Sequence, residues 1–238
     1  MPESASTHTS GERVIQKYLA TPLLMDNKKH DLRLYVTIVS YDPLVAFINK
    51  EGLARFCTED YEEVSSKNKA KDHVHFSNYT LNKTSKNYIQ KDECEEIHDG
   101  SKRSFKSYFK QLELVDGADC EEIWSSIKTV CTGVLKALKP YIQYACKTYY
   151  SGPKRGKCFH IIGIDVILDN DLKPYLLEIN SNPSLNIDWN PDDSHAKNKA
   201  QGVFTREKDR IIRDISPIDL YVKKRVLGDI VKMLKKTK

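Results

Sequence analysis

The chain has 238 residues, 39% hydrophobic and 30% charged, with a net charge of +5. This balance is typical of a soluble globular protein that buries one sizeable core. It excludes a membrane-spanning protein, because no apolar run is long enough to cross a bilayer. Residues 1–12 are small and polar, which predicts a disordered tail and argues against a secretory signal. The modest positive charge favours an acidic partner, and no helix-turn-helix, zinc-finger or RNP pattern indicates nucleic acid.

The six cysteines form no CxxC pair and have no regular spacing. Without a secretory signal, this pattern indicates reduced thiols in a cytosolic protein rather than a disulfide framework. A zinc site built from Cys158, His160 and distant partners is a minor alternative.

The first predicted elements are two strands. Val14–Leu19 is a strand-like run, and alternation in the following segment predicts a half-buried strand from Asp31. One face of that strand carries Asp31, Arg33, Tyr35 and Thr37, and the other carries Leu32, Leu34, Val36 and Ile38. Together with Lys29, the charges are either a solvated strand end or an anion site, in which Arg33 would offer a planar fork.

Tyr41-Asp42-Pro43 predicts a turn, and Leu44–Ile48 a second strand antiparallel to the first. Residues 59–74 predict a connecting loop. The polar stretch after them, HFSNYTLNK, brings His75, Asn78 and Lys83 together with few apolar residues. Residues 84–110 predict a charged, loop-rich segment whose basic half faces an acidic peptide or only solvent.

Asp119 and the residues after it resemble a helix-capping signature. Apolar residues at helical spacing follow and predict a long helix that Pro140 ends or kinks. A second helical stretch would run to Tyr150. Residues 151–157 predict a loop leading to the next strand.

A β-hairpin is the most informative prediction. Ile161–Leu168 and Tyr175–Ile179 flank a polar turn, and both runs are rich in β-branched residues. If the ladder turns near Asp171-Leu172, then Asp165 and Glu178 lie opposite each other, with Asn180 beside them. Such oxygen ligands suit Mg²⁺. The alternative is that both acids pair with Lys or Arg, since an isolated buried carboxylate is costly.

The chain ends in a predicted polar linker and a helix. Ser216-Pro217 supplies an N-cap and a first-turn proline. The predicted buried stripe consists of Leu220, Val226, Leu227, Ile230, Val231 and Leu234. Lys223, Lys224, Arg225, Lys232, Lys235 and Lys236 make the helix basic.

Four stretches, in this order, resemble the ATP-grasp core of the tubulin-tyrosine-ligase-like family. They are VIQKYLATPLLMDNKKHDLRLYV, EGLARFCTEDYE, HFSNYTLNK and FHIIGIDVILDNDLKPYLLEINSNPSLNID. The resemblance implies an α+β fold, the C-terminal lobe of an ATP-grasp domain, with a mainly antiparallel sheet flanked by helices. It also implies incompleteness at the N-terminus, because the family's Gly-rich lobe has no counterpart before residue 13. The expected organisation is a tail over 1–12, a core over 13–190, a linker over 191–215 and a helix over 216–238.

The resemblance also implies residue roles, with ATP and Mg²⁺ as cofactors. The nucleotide would contact Gln16, Lys17, Tyr18, Leu19, Lys29, Asp31, His75 and Asn78. The metal would be held by Asp165, Glu178 and Asn180. The substrates would contact Lys29, Asp31, Arg33, Arg55, Asn78 and Lys83. Catalysis would rest on Arg33, Arg55 and Glu178.

The implied activity is an ATP-dependent joining of a carboxylate to an amine through an acyl phosphate. LLEINSNPSLNID, EGLARFC and LNK resemble the glutamylating members, so we expect glutamate to be added to γ-carboxylates of acidic tubulin tails. The expected protein is a cytoplasmic monomer on the cytoskeleton, including the cilium, with tubulin and free glutamate as partners. Two alternatives stay open: a tubulin-binding remnant without turnover, and a ligase acting with tyrosine, glycine or a small metabolite.

Overall fold

The computed structural model describes residues 14–91, 99–149, 159–189 and 214–236. The strands are β1 (Leu24–Met25), β2 (Lys28–Tyr41), β3 (Leu44–Phe56), β4 (Lys102–Ser104), β5 (His160–Leu168), β6 (Pro174–Asn180), β7 (Asp188–Trp189) and β8 (Asp214–Ile215). The helices are α1 (Asp72–His75), α2 (Tyr79–Asn82), α3 (Phe105–Asp116), α4 (Cys120–Tyr149) and α5 (Pro217–Lys236). The predicted tail, the loop at 151–157 and most of the predicted linker lie outside the described residues. No helix in the described ranges is long and apolar enough to cross a membrane.

One antiparallel sheet organises the molecule. Its strand order is β4-β3-β2-β5-β6, with β1 paired to β2, and β7 and β8 form a separate two-stranded pair. β2 and β3 are joined by the predicted turn at residues 41–43. The predicted α+β class with a mainly antiparallel sheet flanked by helices is therefore confirmed.

The apolar face of β2 forms the main core with α3 and α4. The alternation predicted from Asp31 onward is confirmed, because every second side chain, beginning at Leu32, packs into this core. The residues that meet them from the helices are Phe105, Tyr108, Leu112, Ile123, Ile127, Cys131 and Val134. Burial of such side chains contributes about 1.5–3 kcal/mol each, and more of them are buried on this face than on the other.

The opposite face of the sheet is covered in part by α5. Tyr35 and Leu53 pack against Ile218, Val222, Val226 and Ile230 in a second, smaller core. Ser216 caps the helix, because its Oγ accepts from the backbone N–H of Asp219 at 3.3 Å. The part of this face that α5 leaves uncovered carries the charged residues described below.

The N-terminal described segment differs from its prediction. Residues 14–19 form no regular strand, and Val14 and Ile15 are 86% and 96% exposed. Apolar β-branched residues favour a strand only where a neighbouring strand or a core receives them. In the described residues, neither receives Val14 and Ile15.

The basic stretch predicted as a loop is also different. Residues 102–110 form β4 and the start of α3, and Arg103 is only 1% exposed. Its guanidinium lies over the Phe56 ring and donates to Gln111 and Asp26, so its charge is satisfied inside the protein. A local charge run does not reveal such distant partners.

The two long helices are corrected in detail. α4 continues through Pro140 as one helix to Tyr149, so the proline does not end it. In α5, Leu220, Leu227 and Val231 are exposed by 39%, 40% and 50%, against the predicted stripe. Val226 and Ile230 are buried as predicted, and with Ile218 and Val222 they form a stripe that recurs every four residues on the side that meets Tyr35 and Leu53.

Candidate active site

The β5–β6 hairpin brings the predicted metal ligands together. Asp165 lies opposite Glu178, and Gly163 lies opposite Asn180. The Asp169 carboxylate fixes the turn, since its Oδ1 accepts from the backbone N–H groups of Asp171 and Lys173 at 3.0 and 2.9 Å. The Asn180 amide donates to Asp165 at 3.3 Å and to Glu178 at 3.1 Å. The predicted convergence of two carboxylates and an amide on one sheet face is therefore present.

The same carboxylate also belongs to an ion-pair network, which the alternative interpretation of the hairpin predicts. Asp165 is 1% exposed and accepts from Arg33 Nη2 and Arg55 Nη2, each at 2.8 Å. Arg55 also pairs with Asp31, the residue opposite it across β2 and β3. The two arginines therefore neutralise two buried acids, as burial of charge requires.

Electrostatics keep this network ionised. Burial alone would raise the pKa of Asp165, but the hydrogen bond and charge of Arg33 and the charge of Arg55 hold it below its ordinary value. A hydrogen bond with Glu178 acts in the same direction. Burial would lower the pKa of Arg55, and Asp31 and Asp165 raise it instead. The site therefore presents fixed charges of both signs at neutral pH.

Glycine makes room for one of the arginines. A Cβ placed on Gly163 would lie 3.3 Å from the Cδ and Nε atoms of Arg33 and 3.0 Å from Pro183. A larger residue would therefore crowd the Arg33 side chain and Pro183. The position is therefore matched to the arginine across the strand pair.

The donor chemistry of the hairpin fits a hard divalent cation. Of the two Asp165 oxygens, Oδ2 accepts three of the named hydrogen bonds, whereas Oδ1 accepts only one, from Arg33. A carboxylate oxygen has two lone pairs, so Oδ1 has one available. Glu178 is exposed and Asn180 is half-buried. Within the described residues no group of three or more His, Cys, Asp or Glu side chains is arranged for a metal, so this set depends on the Asn180 amide.

The predicted nucleotide residues fall into two groups. Lys29 is 8% exposed, its ammonium lies 4.2 Å from the centre of the Tyr18 ring, and burial lowers its pKa. The Tyr18 hydroxyl lies 2.9 Å from Nδ1 of the buried His75, so these three side chains form one cluster. Gln16 and Lys17 are exposed on the irregular N-terminal segment, and Gln16 donates to the Leu177 carbonyl at 3.0 Å.

The helix-α2 residues have structural contacts as well. Asn78 caps α2, because its Oδ1 accepts from the Thr80 backbone N–H at 2.9 Å. Lys83 follows the last residue of that helix. Asn82, which sequence reasoning did not single out, is buried and holds Thr58 through its Oδ1 at 3.0 Å. Binding roles for Asn78, Lys83 and the half-buried Leu19 stay predictions.

A buried cluster that the sequence did not indicate joins α5 to this face. Lys102 lies directly opposite Arg55 across β3 and β4. Its ammonium donates to Asp219 at 2.7 Å and lies 3.3 Å from the centre of the Tyr79 ring. Lys223 donates to the same carboxylate at 2.6 Å. Burial lowers the pKa of Lys102 to about 8 despite Asp219.

Lys223 also connects the helix to the segment that follows β6. Its ammonium donates to the Asn186 carbonyl, and the Ser216 backbone N–H donates to the Ile187 carbonyl at 2.8 Å. This segment begins just after Asn180, one of the predicted metal ligands. Lys223, one of the residues that make the helix basic, is therefore buried and directed into the protein.

The zinc alternative gains no support. Cys158 lies outside the described residues, and the His160 ring nitrogen Nε2 lies 2.6 Å from the Ser181 carbonyl oxygen. Among the described residues, Cys57, Cys120, Cys131 and Cys146 form no disulfide.

Comparison with known proteins places this arrangement in a family. A model described as "Tubulin-tyrosine ligase family" matches residues 2–213. A human protein named tubulin polyglutamylase TTLL11 is 38% identical over 234 residues, which is 97% of this chain and 30% of that protein. A mouse protein named tubulin polyglutamylase TTLL5 is 39% identical over 175 residues, 74% of this chain and 13% of that protein.

A more distant organism gives a similar match. A Tetrahymena thermophila protein named probable beta-tubulin polyglutamylase is 33% identical over 226 residues, 94% of this chain and 17% of that protein. The chain thus spans less than a third of the length of these relatives. Since the family model covers most of its residues, the chain belongs to the tubulin-tyrosine ligase family.

Proposed function

We propose that the chain carries the carboxylate-activating and amine-joining site of an ATP- and Mg²⁺-dependent ligase that adds glutamate to γ-carboxylates in acidic tubulin tails. The observation that carries the proposal is the polar face of the sheet. There, Asp165, Glu178 and Asn180 converge beside the guanidinium groups of Arg33 and Arg55. Relatives named as tubulin polyglutamylases support the choice of glutamate and tubulin.

The chemistry consists of two balanced steps. First, a γ-carboxylate oxygen of the acceptor attacks the γ-phosphorus of ATP, the bond to the bridging oxygen breaks, and ADP leaves with an acyl phosphate formed. Then the amine of free glutamate attacks the acyl carbon and loses a proton. The C–O bond to phosphate breaks, which releases inorganic phosphate and leaves an amide. Such reactions need positioning and charge neutralisation more than a protein nucleophile.

The residues present match those needs. Arg33 and Arg55 each use Nε and Nη2 for Asp31 and Asp165, which leaves Nη1 of each outside the hydrogen bonds named above. These N–H groups are held rigidly by buried acids, so they can stabilise the charge that develops on phosphate and acyl oxygens. Mg²⁺ bound by Asp165, Glu178 and Asn180 would screen the triphosphate. Lys29 adds a cation beside Tyr18 and His75, where the nucleotide is proposed to bind.

Glutamate transfer is the direct test. The purified chain is incubated with microtubules, MgATP and radiolabelled glutamate, and tubulin-bound label is counted. The proposal expects incorporation that needs ATP, disappears with Glu178→Gln, and is absent on microtubules whose tails have been cleaved. Since Glu178 is exposed, this variant should keep the fold.

Other outcomes select the alternatives. Microtubule binding without incorporation would contradict an autonomous ligase and favour the tubulin-binding remnant. Incorporation of labelled tyrosine or glycine in place of glutamate would overturn the proposed amino acid. Full activity on free carboxylates without tubulin would overturn the proposed acceptor.

A further inference from the structure

A cavity of about 700 Å³ lies between α5, the first half of β3 and the start of α3, away from the candidate active site. Its charged lining comprises the basic residues Lys50, Lys106, Lys224, Arg225 and Lys232, and the acidic residues Glu51 and Asp229. We call this concave surface the basic cleft. Its charge is strongly unbalanced, which predicts attraction of an anionic partner.

The two acids in the cleft already have partners within the protein. Glu51 Oε1 accepts from the backbone N–H of Phe105 at 2.8 Å and of Gly52 at 3.2 Å. Asp229 accepts from Asn49 at 3.5 Å and from Lys232 at 3.4 Å. Each acid also offsets one cation, because Glu51 interacts with the charge of Arg225 and Asp229 pairs with Lys232, so the remaining excess of charge in the cleft is positive.

Two of the cations in the cleft are not paired with an acid in this way. Lys50 and Lys224 are exposed and form no ion pair within the described ranges. Beside them the Arg225 guanidinium lies 4.1 Å from the centre of the Tyr221 ring, which holds it in a defined position. An ordinary solvated helix face is convex and carries scattered charge, whereas here the cations line an open cleft bordered by three elements.

Helix α5 links the basic cleft to the candidate active site. At its first turn Asp219 contacts Lys102, the residue opposite Arg55. Arg225 and Lys232 follow six and thirteen positions later, which corresponds to about 9 and 20 Å along a helix. An extended peptide covers these distances in roughly three to six residues, at about 3.3 Å per residue. One acidic chain of this length can therefore span α5 from the turn that carries Asp219 to the cleft.

We propose that the basic cleft binds the acidic polypeptide acceptor a few residues away from the carboxylate that reacts. This inference rests on the proposed function, which places the reacting carboxylate of the peptide at the arginines. The ligand of the basic cleft is a glutamate-rich segment of the same peptide. Multiple glutamates would contact Lys50, Lys224 and Arg225 without being modified. The cleft would thus set affinity and position for the acceptor, while the arginines act on the reacting group.

Peptide binding without ATP tests the cleft separately from catalysis. The probe is a fluorescein-labelled peptide of alternating glutamate and glycine, and fluorescence anisotropy gives Kd at several salt concentrations. The variant is K50E/K224E, and the matched control is K128E/K136E, which makes the same charge change at two exposed lysines of α4. Circular dichroism verifies folding, and K50Q/K224Q replaces the reversal if the latter misfolds.

We expect K50E/K224E to weaken binding by about threefold to tenfold and to reduce the salt dependence, whereas the control changes Kd by less than about twofold. Unchanged peptide binding by K50E/K224E, or an equal loss of binding in the control, would overturn the proposed role of the cleft. A peptide with glutamine in place of glutamate should not bind. Glutamate transfer is measured in parallel, so intact peptide binding with no transfer would count against the proposed function and not against the cleft.

Discussion

On β2, Leu32 and Leu34 are 0% exposed on the face toward α3 and α4, and Asp31 and Tyr35 are 1% exposed on the opposite face. The two faces of β2 are therefore equally buried, but different interactions stabilise them. The apolar face needs only close packing. On the other face, each buried acid is stable only because a guanidinium lies against it. The two faces thus differ in what is buried: one buries apolar side chains, and the other buries the charges on which the proposed function depends.

The largest effect should come from Asp165. Asp165→Asn removes the charge that both arginines share, and breaking a buried pair in this way should lower the free energy of unfolding by about 3–5 kcal/mol. Urea denaturation measures it. Glu178→Gln on the exposed edge strand should change stability by less than about 0.5 kcal/mol and still abolish Mg²⁺-dependent nucleotide binding. Equal, small stability changes in both variants would show that Asp165 serves only the metal.

The apolar face should respond through cavity formation. Leu34→Ala should cost about 2–5 kcal/mol in unfolding free energy, because α3 and α4 cannot collapse fully onto the gap. Leu114→Ala on α3 is the control, since Leu114 is 67% exposed. If Leu34→Ala behaved like the control, the packing described for this face would be wrong.

Acid should weaken the apolar face through His30. Its ring stacks on Phe56, with Nε2 3.0 Å from the Tyr108 hydroxyl, and burial lowers its pKa from 6.5 to about 4. Arg103 also lowers this pKa, and Asp26 and the Lys28 carbonyl raise it without outweighing burial. The unfolded chain binds a proton between pH 6.5 and 4 that the folded chain does not. Stability should therefore fall as the pH falls through that window, by about 3 kcal/mol in total.

The measurement for His30 is a difference. The free energy of unfolding is compared at pH 7 and pH 4 for the native chain and for His30→Gln. The substitution should remove most of the decrease in unfolding free energy that protonation of His30 causes between pH 7 and pH 4. An identical pH dependence in both proteins would contradict a neutral buried histidine.

The smallest effect should come from the core under α5. Val226→Ala removes two buried carbons that contact the side of the sheet carrying Tyr35 and Leu53, and should cost about 1–2 kcal/mol. Leu227→Ala, at a position 40% exposed, should cost less. The reverse order would contradict the burial described for Val226 and the exposure described for Leu227.

Local patterns predicted the hairpin well because the residues that form it follow one another in the sequence. Alternation and the polar turn near Asp171 were enough to place Asp165 opposite Glu178 and Asn180 beside them. They were not enough to decide between metal and ion pairs, and the structure contains the ion pairs within a set that also fits a cation. That result depends on Arg33 and Arg55, which lie more than a hundred residues away in sequence.

The predictions that the structure contradicts failed for the same physical reason. The local charge run predicted that Lys102 and Arg103 face solvent or an acidic peptide. In the structure they pair with Asp219 and Asp26 from other parts of the chain. Helix α5 has apolar residues on more than one side, so only its contact with Tyr35 and Leu53 decides which are buried. Long-range partners, rather than local preferences, determine where such charges and stripes lie.

The contacts of Lys223 and Ser216 with the carbonyl groups of Asn186 and Ile187 have a practical consequence for shortening the protein. Deleting residues 216–236 would strip the cover from Tyr35 and release the stretch of backbone that leads away from Asn180. A truncation designed to keep only the sheet would thus loosen the backbone next to a predicted metal ligand more than thirty residues before the cut. The C-terminal helix belongs in any minimal version of the domain.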